Sequence, residues 1–277
     1  MTIKNPTSPQ ATRTPWDAYA PFYDWENART LGRRDLPFWR DVVRREGTAA
    51  LELGCGTGRL IVPMARAGLP MTGIDLAERM LARARARVRR IPRARRPGLV
   101  RGDIRRLPFP DRRFGAVLAS YGMLQSLLRD ADLNAVLDES ARVLRPGGLL
   151  GVDLVPDLAR WEEYGREERL RGPGPGGGVV TLVEAVRQDR RRRLTIFDEE
   201  FIERRGRTVR RHRFSLTFRS LTMRDTIGRI ERAGFDVEAV LGDYRGAAWD
   251  ERADVWIVLA RRRRARPRPL PRGGLSI

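Results

Sequence analysis

Between residues 48 and 154 the chain switches repeatedly between two hydrophobic patterns. Continuous apolar runs, such as "TAALEL" (48–53), "PMTGID" (70–75), "GLVRGD" (98–103), "FGAVLAS" (114–120) and "GGLLGVDL" (147–154), read as buried strands. Between them lie stretches whose apolar residues recur every three or four positions. Met80, Leu81, Ala84 and Val88 form such a stripe in 76–90, and Leu133, Val136, Leu137, Ser140, Ala141 and Leu144 form another in 131–144. "GRLIVPMARAG" (58–68) is a third helix, closed by Gly68. Strand alternating with helix predicts a parallel sheet covered on both faces. Two helices precede it, a short aromatic and acidic one at 16–28 and one at 33–45 with Leu36, Trp39 and Val43 on one side.

After Pro156 the pattern changes. "RGPGPGGG" (171–178) reads as a flexible loop, and three β-rich runs follow at 179–188, 193–204 and 207–220. The second and third meet in a hairpin turn at Gly206. They predict an antiparallel insert that leaves the sheet and returns. A helix over 223–233 resumes the pattern, with Thr222 and Asp225 in a capping arrangement and Gly234 as the stop. Strands at 235–244 and 253–262 complete it. The expected organisation is a polar, disordered lead (1–15), helices and a ligand-binding core (16–155), the insert or lid (156–221), the return of the core (222–262) and a basic, Pro-rich disordered tail (263–277).

Composition adjusts this picture in three ways. No run approaches the ~20 apolar residues of a membrane span, and the N-terminus lacks the apolar centre of a secretory signal, so the expected location is the cytoplasm. One cysteine, Cys55, and one histidine, His212, leave no intrachain disulfide and no Cys- or His-rich metal site, so the expectation is no metal. The net charge of +20 invites a nucleic-acid reading. However, the charge is unevenly placed: residues 156–260 carry 21 basic against 19 acidic side chains, and the excess sits in 1–155 and in the tail.

Three glycines, Gly54, Gly56 and Gly58, stand in "LELGCGTGRL" between the first strand and its helix. Such a turn exposes backbone N–H groups at the carboxyl end of a sheet, where open α/β folds bind ligands. A phosphate-binding P-loop needs Gly-Lys-Ser/Thr, and Arg59-Leu60 stands there instead. A dinucleotide turn needs G-x-G-x-x-G, and here the third glycine comes one position early. Asp75 closes the next strand, 21 residues after Gly54, where a carboxylate can accept hydrogen bonds from ribose hydroxyls or cap the following helix.

The pattern E-x-G-x-G-x-G from Glu52, with Asp75, Asp103 in "RGDIRRLPFPDRRF" and "RVLRPGGLL" (142–150), resembles class I S-adenosylmethionine-dependent methyltransferases. The resemblance implies a Rossmann-like α/β fold: a seven-stranded sheet, mostly parallel with an antiparallel last strand, here with a small antiparallel β insert. It implies S-adenosyl-L-methionine as cofactor, with the glycines at its methionyl portion, Asp75 at the ribose, and Asp103 and Ile104 at the adenine. Glu52, Leu76 and Ser120, at the ends of the first, second and fourth strands, complete the implied set. "YAPFYDW", "LASYGMLQSLL" and "GDYRG" look more narrowly like bacterial small-molecule methyltransferases, including sugar N-methyltransferases of antibiotic pathways. On that likeness Tyr23 closes over the cofactor. Those relatives often hold Asn and His after the fourth strand, where this sequence has Gly122, Gln125 and Ser126.

The expected function is transfer of a methyl group to nitrogen or oxygen of a small-molecule acceptor by in-line displacement. Candidate acceptor contacts are Tyr121, Gln125, Ser126 and Tyr244. His212 is the sole imidazole and hence a candidate base, although "VRRHRF" sets it among arginines on a strand. Asp198, Glu199 and Glu200 are able to bind a cationic acceptor, and a solvated strand edge explains them equally. Two alternatives stand beside this: an RNA methyltransferase using the basic surface and tail, and a non-catalytic cofactor-binding module. Against the first, "ASYG" replaces the Asn/Asp-Pro-Pro-aromatic run of base N-methylation. Cys55 lies in the glycine turn rather than in a nucleophile loop, and the arginines of 76–90 read as a solvated face far from the reacting methyl. The sequence assigns no oligomeric state.

Overall fold

The structure, a computed structural model, describes residues 14–30, 34–156, 162–253 and 255–264. Most of the expected polar lead and of the basic tail lies outside these residues; Thr14 and Pro15, read as the end of the lead, instead cap and begin the first helix, because Pro suits a first helical turn. The chain opens with helices α1 (Pro15–Asn27) and α2 (Leu36–Glu46). It continues through β1 (Ala50–Leu53), α3 (Ile61–Arg66), β2 (Met71–Asp75), α4 (Glu78–Val88), β3 (Gly98–Arg101) and β4 (Phe114–Ala119). Then come α5 (Asp130–Val143) and β5 (Leu144–Leu154), followed by the insert strands β6 (Tyr164–Pro173), β7 (Val179–Asp189), β8 (Leu194–Arg205) and β9 (Thr208–Arg219). Helix α6 (Met223–Arg232) and strands β10 (Phe235–Leu241) and β11 (Trp256–Arg262) return to the core.

The main sheet has seven strands in the order β10-β11-β5-β4-β1-β2-β3. β1 pairs in parallel with both β2 and β4, so the chain winds outward to β3, then crosses back to β4. That reversal opens a crevice at the carboxyl ends of β1 and β4. β11 runs antiparallel to both its neighbours, β5 and β10. This is the expected α/β sheet with one antiparallel strand. Every residue of β4 is buried, because helices cover both faces of the sheet. Val117 and Ala119 join Leu133, Val136, Leu137 and Ile230 of α5 and α6 on one side. Ala116 and Leu118 join Trp39, Val43, Ile61, Met64 and Leu81 of α2, α3 and α4 on the other.

The insert forms its own four-stranded antiparallel sheet, in the order β6-β7-β8-β9. Gly206, with φ +56°, makes the expected tight turn between β8 and β9. Thr222 Oγ1 accepts the Asp225 amide at 3.1 Å, so the predicted cap of α6 is formed. One expectation needs correction. The insert has four strands rather than three, since β6 pairs with β7 and extends to Pro173, into the stretch read as loop. Half of β6 is charged, which hides it from a hydrophobic pattern; only one edge of the strand is paired and most of its side chains face outward.

Helix α1 lies between the insert and the core. Tyr19, Phe22 and Trp25 pack with Val180, Leu182, Phe201 and Leu216 of the insert in a third apolar cluster. The Phe22 and Phe201 rings stack at 4.4 Å. On its other side α1 reaches α4. Asp17 Oδ1 accepts the Arg79 amide at 2.8 Å, capping the first turn of α4. Asp24 pairs with Arg83 at 3.1 Å and Arg87 at 2.7 Å. These two arginines therefore bind α1 rather than forming the solvated face that the sequence suggested.

Candidate active site

The glycine turn connects β1 to α3 with Gly54, Gly56 and Gly58 at φ +62°, +51° and +84°. Side chains rarely adopt these left-handed angles, which is why three glycines stand together here. Two carboxylates flank the turn. Asp75, at the end of β2, accepts the Gly56 amide through Oδ2 and the Ala77 amide through Oδ1, both at 2.8 Å. Burial pushes its pKa up, while those amides pull the other way. Glu52 is buried at the end of β1. Burial raises it to about 8, against the pull of Arg59 and of the Ile61 amide. Its Oε2 has no hydrogen-bond partner.

A turn with one amide already bound to the Asp75 carboxylate disfavours phosphate. It suits a ligand carrying hydroxyls and positive charge. Leu76 follows Asp75 with 45% of its surface exposed, an apolar platform beside the carboxylate. Ile104 is partly buried nearby in sequence to Asp103. The Asp103 carboxylate is held below its ordinary pKa chiefly by Arg105, whose Nη2 donates at 2.7 Å. Cys55 is buried in the turn, and burial raises its thiol pKa, which removes it as a nucleophile.

The first two helices close this crevice. Arg59, just past the glycines, makes two 2.7 Å hydrogen bonds to Asp35, whose residue surface is wholly buried. The fork geometry suits a carboxylate. The Arg59 guanidinium also lies 5.1 Å from the Tyr121 ring. Asp24 accepts from Thr57 Oγ1 at 2.6 Å, and Arg87 donates to Thr57 O at 3.0 Å. Tyr23 of α1 sits in the electrostatic field of Arg59, Glu52 and Tyr121, and burial holds its hydroxyl protonated. α1 thus brings Tyr23 beside Glu52, Arg59 and Tyr121.

The face beside β4 is organised around Asp153, a residue that the sequence reading did not single out. It is 1% exposed at the end of β5. It accepts the Gly122 amide at 3.0 Å, the Tyr244 hydroxyl at 2.8 Å and the Trp39 indole N–H at 3.3 Å. Burial raises it to about 6 despite those donors. A charged residue near the end of the otherwise apolar "LLGVDL" was the available signal. Tyr121 and Gly122 both take left-handed angles, φ +62° and +63°, directly above it. The Gln125 side chain bridges the Val155 backbone, accepting at 2.8 Å and donating at 3.1 Å. Ser126 Oγ donates to Met123 O at 2.7 Å. Gln125, Ser126 and Tyr244 therefore hold the β4 exit loop to its neighbours. Ser120 is buried at its base, and Tyr121 faces Arg59. Burial pushes the Tyr121 hydroxyl up to about 12.

His212 lies on β9, bonded to Glu203 at 3.1 Å and 4.9 Å from the Phe22 ring. The three acids of "IFDEEF" separate. β8 is an inner strand, so the solvated-edge alternative does not apply. Asp198 binds Arg187 and Ser215, and Glu200 binds Arg166, Arg211 and Arg213. Glu199 points the other way, toward α1, and is 4% exposed.

Residues 50–148 match the model of a methyltransferase domain. A demethylmenaquinone methyltransferase from Tropheryma whipplei (strain Twist) is 41% identical over 144 residues, which cover 50% of this chain and 57% of that protein. A 27-O-demethylrifamycin SV methyltransferase from Amycolatopsis mediterranei is 37% identical over 143 residues, 50% of each. The chain thus spans about half the length of the curated relatives it matches. Among solved structures, CalS10, an amino pentose methyltransferase from Micromonospora echinaspora with bound S-adenosylmethionine, shares the fold at 22% identity and a TM-score of 0.68. That likeness covers 87% of this chain and 96% of CalS10. The matched methyltransferase domain lies on the β1–β5 core, with the glycine turn and its acids at the sheet's crevice, and residues 50–148 are thus similar to methyltransferase domains in sequence while the chain shares the fold of CalS10.

Proposed function

We propose that the chain transfers a methyl group from S-adenosyl-L-methionine to nitrogen or oxygen of a small-molecule acceptor by in-line displacement. The observation that carries this is the glycine turn between Glu52 and Asp75, with Leu76 exposed beside it. The sulfonium supplies an already activated methyl group. Gly54, Gly56 and Gly58 let the backbone approach the methionyl portion, and Asp75 receives the ribose hydroxyls. Leu76 and Ile104 flank the adenine, and Asp103 accepts from its amino group. Glu52 lies where a cationic amino group removes the cost of its unpartnered oxygen. Tyr23, Arg59 and Asp35 hold the closing helices in place and exclude water.

The acceptor approaches over the β4 exit loop. Asp153, through Gly122 and Tyr244, fixes that loop, so alignment rather than a strong base is its contribution. The relatives named for demethylmenaquinone and for 27-O-demethylrifamycin SV support an acceptor of small-molecule size. Arg83 and Arg87, engaged with Asp24, take two charges away from any nucleic-acid surface on α4.

The test is transfer from methyl-labelled cofactor to pooled amines, sugars and phenols, with structured RNA as a parallel acceptor. Label in the small-molecule pool is expected. Label in RNA alone, or calorimetric cofactor binding with no transfer to any pool, overturns the proposal.

A further inference from the structure

A group of carboxyls lies between α1 and the inner face of the insert, outside the cofactor turn. Glu184 on β7 and Glu199 on β8 are paired across the strands and so share one face. Glu26 of α1 completes the group, since its field reaches both Glu184 and Glu199. Tyr19 donates to Glu26 and its hydroxyl also meets Glu199, and Tyr164 donates to Glu184. Burial raises Glu26 to about 7 and Glu199 to about 9. Glu199 is 96% buried by its exposure of 4%, yet its Oε2 has no hydrogen-bond partner.

The cations nearby answer only one of these three acids. Arg169, half exposed, has its Nε 3.8 Å from Glu184. Arg29 sits over the Trp25 ring and donates to Trp25 O. His212 is paired with Glu203. Among the described residues no ion pair reaches Glu26 or Glu199. Buried carboxyls without a cation are costly unless something else supplies one. The group is not spaced for a metal: no set of three His, Cys, Asp or Glu side chains among the described residues is.

The location ties this group to the reaction. Tyr23, three residues before Glu26 on α1, faces Glu52 and Arg59 at the cofactor turn. Tyr121, on the β4 exit loop, lies in the field of Glu26 and in hydrogen-bond reach of Thr30. The carboxyls are therefore on the acceptor side of that turn, under the insert.

We infer that Glu26, Glu184 and Glu199 form the acceptor subsite and that the acceptor is a basic amine, recognised as its ammonium ion; that ion passes one proton to a carboxylate of the group, and the freed nitrogen lone pair then displaces the methyl from the sulfonium, leaving the neutral thioether. This rests on the methyltransferase reading above. An ammonium group offers three N–H donors and no acceptor, which matches three carboxyls and relieves the unpartnered Oε2. A hydroxyl offers one donor and no charge. Tyr19 and Tyr164 orient the carboxyls from α1 and β6, and Phe214 packs edge-to-face on Tyr19 with centroids 5.0 Å apart, so the group lies beside an aromatic surface.

The probes are cyclohexylamine and cyclohexanol, which share a shape and differ in charge. Each is titrated calorimetrically into the full chain, with and without S-adenosylhomocysteine, in two buffers of different ionisation enthalpy. Cyclohexylamine is expected to bind about tenfold or more tighter and to release about one proton as the carboxyls ionise around it. The double variant E26Q/E199Q is expected to lose both the preference and the proton release, while keeping its affinity for S-adenosylhomocysteine and melting no lower. Equal binding of the two probes, or a double variant that keeps the preference, overturns the inference and leaves the methyltransferase reading standing. Failure of S-adenosylhomocysteine to bind, with the amine preference intact, overturns the methyltransferase reading instead and supports the acid-lined site.

Discussion

Two neighbours on β8, Glu199 and Glu200, summarise the difference between the two halves of the insert. Glu200 faces outward under Arg166, Arg211 and Arg213, and those arginines hold it down to about 2. Glu199 faces α1 with no cation, and burial holds it up at about 9. One step along a strand reverses the face and with it the electrostatics. The cofactor half of the molecule resembles the Glu200 side. There Arg59 answers Asp35, and Arg83 and Arg87 answer Asp24. Charges that hold the fold together have their partners within the chain. The inner face of the insert does not, and incomplete pairing is what a ligand of the missing charge is able to complete.

The strongest way to break this contrast is to unpair the cofactor half. Arg59→Ala leaves Asp35 buried without its cation, and about 3–5 kcal/mol of stability is expected to go. Urea unfolding of the variant checks it; a loss under 1 kcal/mol would mean that water replaces the guanidinium and that the pair does not close the helices.

Removing Asp75, the acid proposed at the ribose, has the next effect. Asp75→Ala is expected to weaken S-adenosylmethionine binding by roughly 1–3 kcal/mol, read by calorimetry. Unchanged affinity would take Asp75 out of the site.

The pH dependence sharpens the comparison within β8. Glu26 and Glu199 have native pKa values raised above about 4.5, so the folded state binds more protons than the unfolded one. Their contribution to stability is therefore lost as pH rises from about 4.5 through 7 and 9. Glu200 is depressed, so its contribution is present above about 4.5 and lost as pH falls toward 2. E199Q is expected to flatten the alkaline decline in melting temperature and leave the acid limb alone; E200Q is expected to do the reverse. Matching curves for the two variants would contradict the opposed faces.

Two small effects complete the series. Thr222→Ala removes the cap of α6 and is expected to cost about 1 kcal/mol, measurable by urea unfolding. His212→Gln is expected to change transfer rates less than about twofold, since general-base loss costs 10²–10⁴ and His212 is tied to Glu203. A hundredfold loss would restore His212 as the base.

Much of the core was legible because helices and parallel strands print their burial on the sequence. β4, buried on both faces, reads as a continuous apolar run, and the three glycines mark a turn that other residues resist. Thr222 and Gly206 fulfilled their local roles for the same reason: a cap and a tight turn depend on a few adjacent residues. What escaped depends on distance. Half of β6 is charged, so its pairing with β7 leaves no clear apolar trace. Asp153 becomes a hub only once α2, the β4 exit loop and the β10–β11 loop converge on it. Arg83 and Arg87 look like solvated residues until α1 brings Asp24 to them. Likewise, nothing in "IFDEEF" tells which acid turns inward until the strand register is known.

Helix α1 carries a last consequence. Its Asp17 and Asp24 grip the nucleotide-side helix and turn, while its Tyr19 and Phe22 are embedded in the insert. One rod thus has a foot in each compartment. Any settling of that rod by the first molecule to arrive is already done when the second arrives.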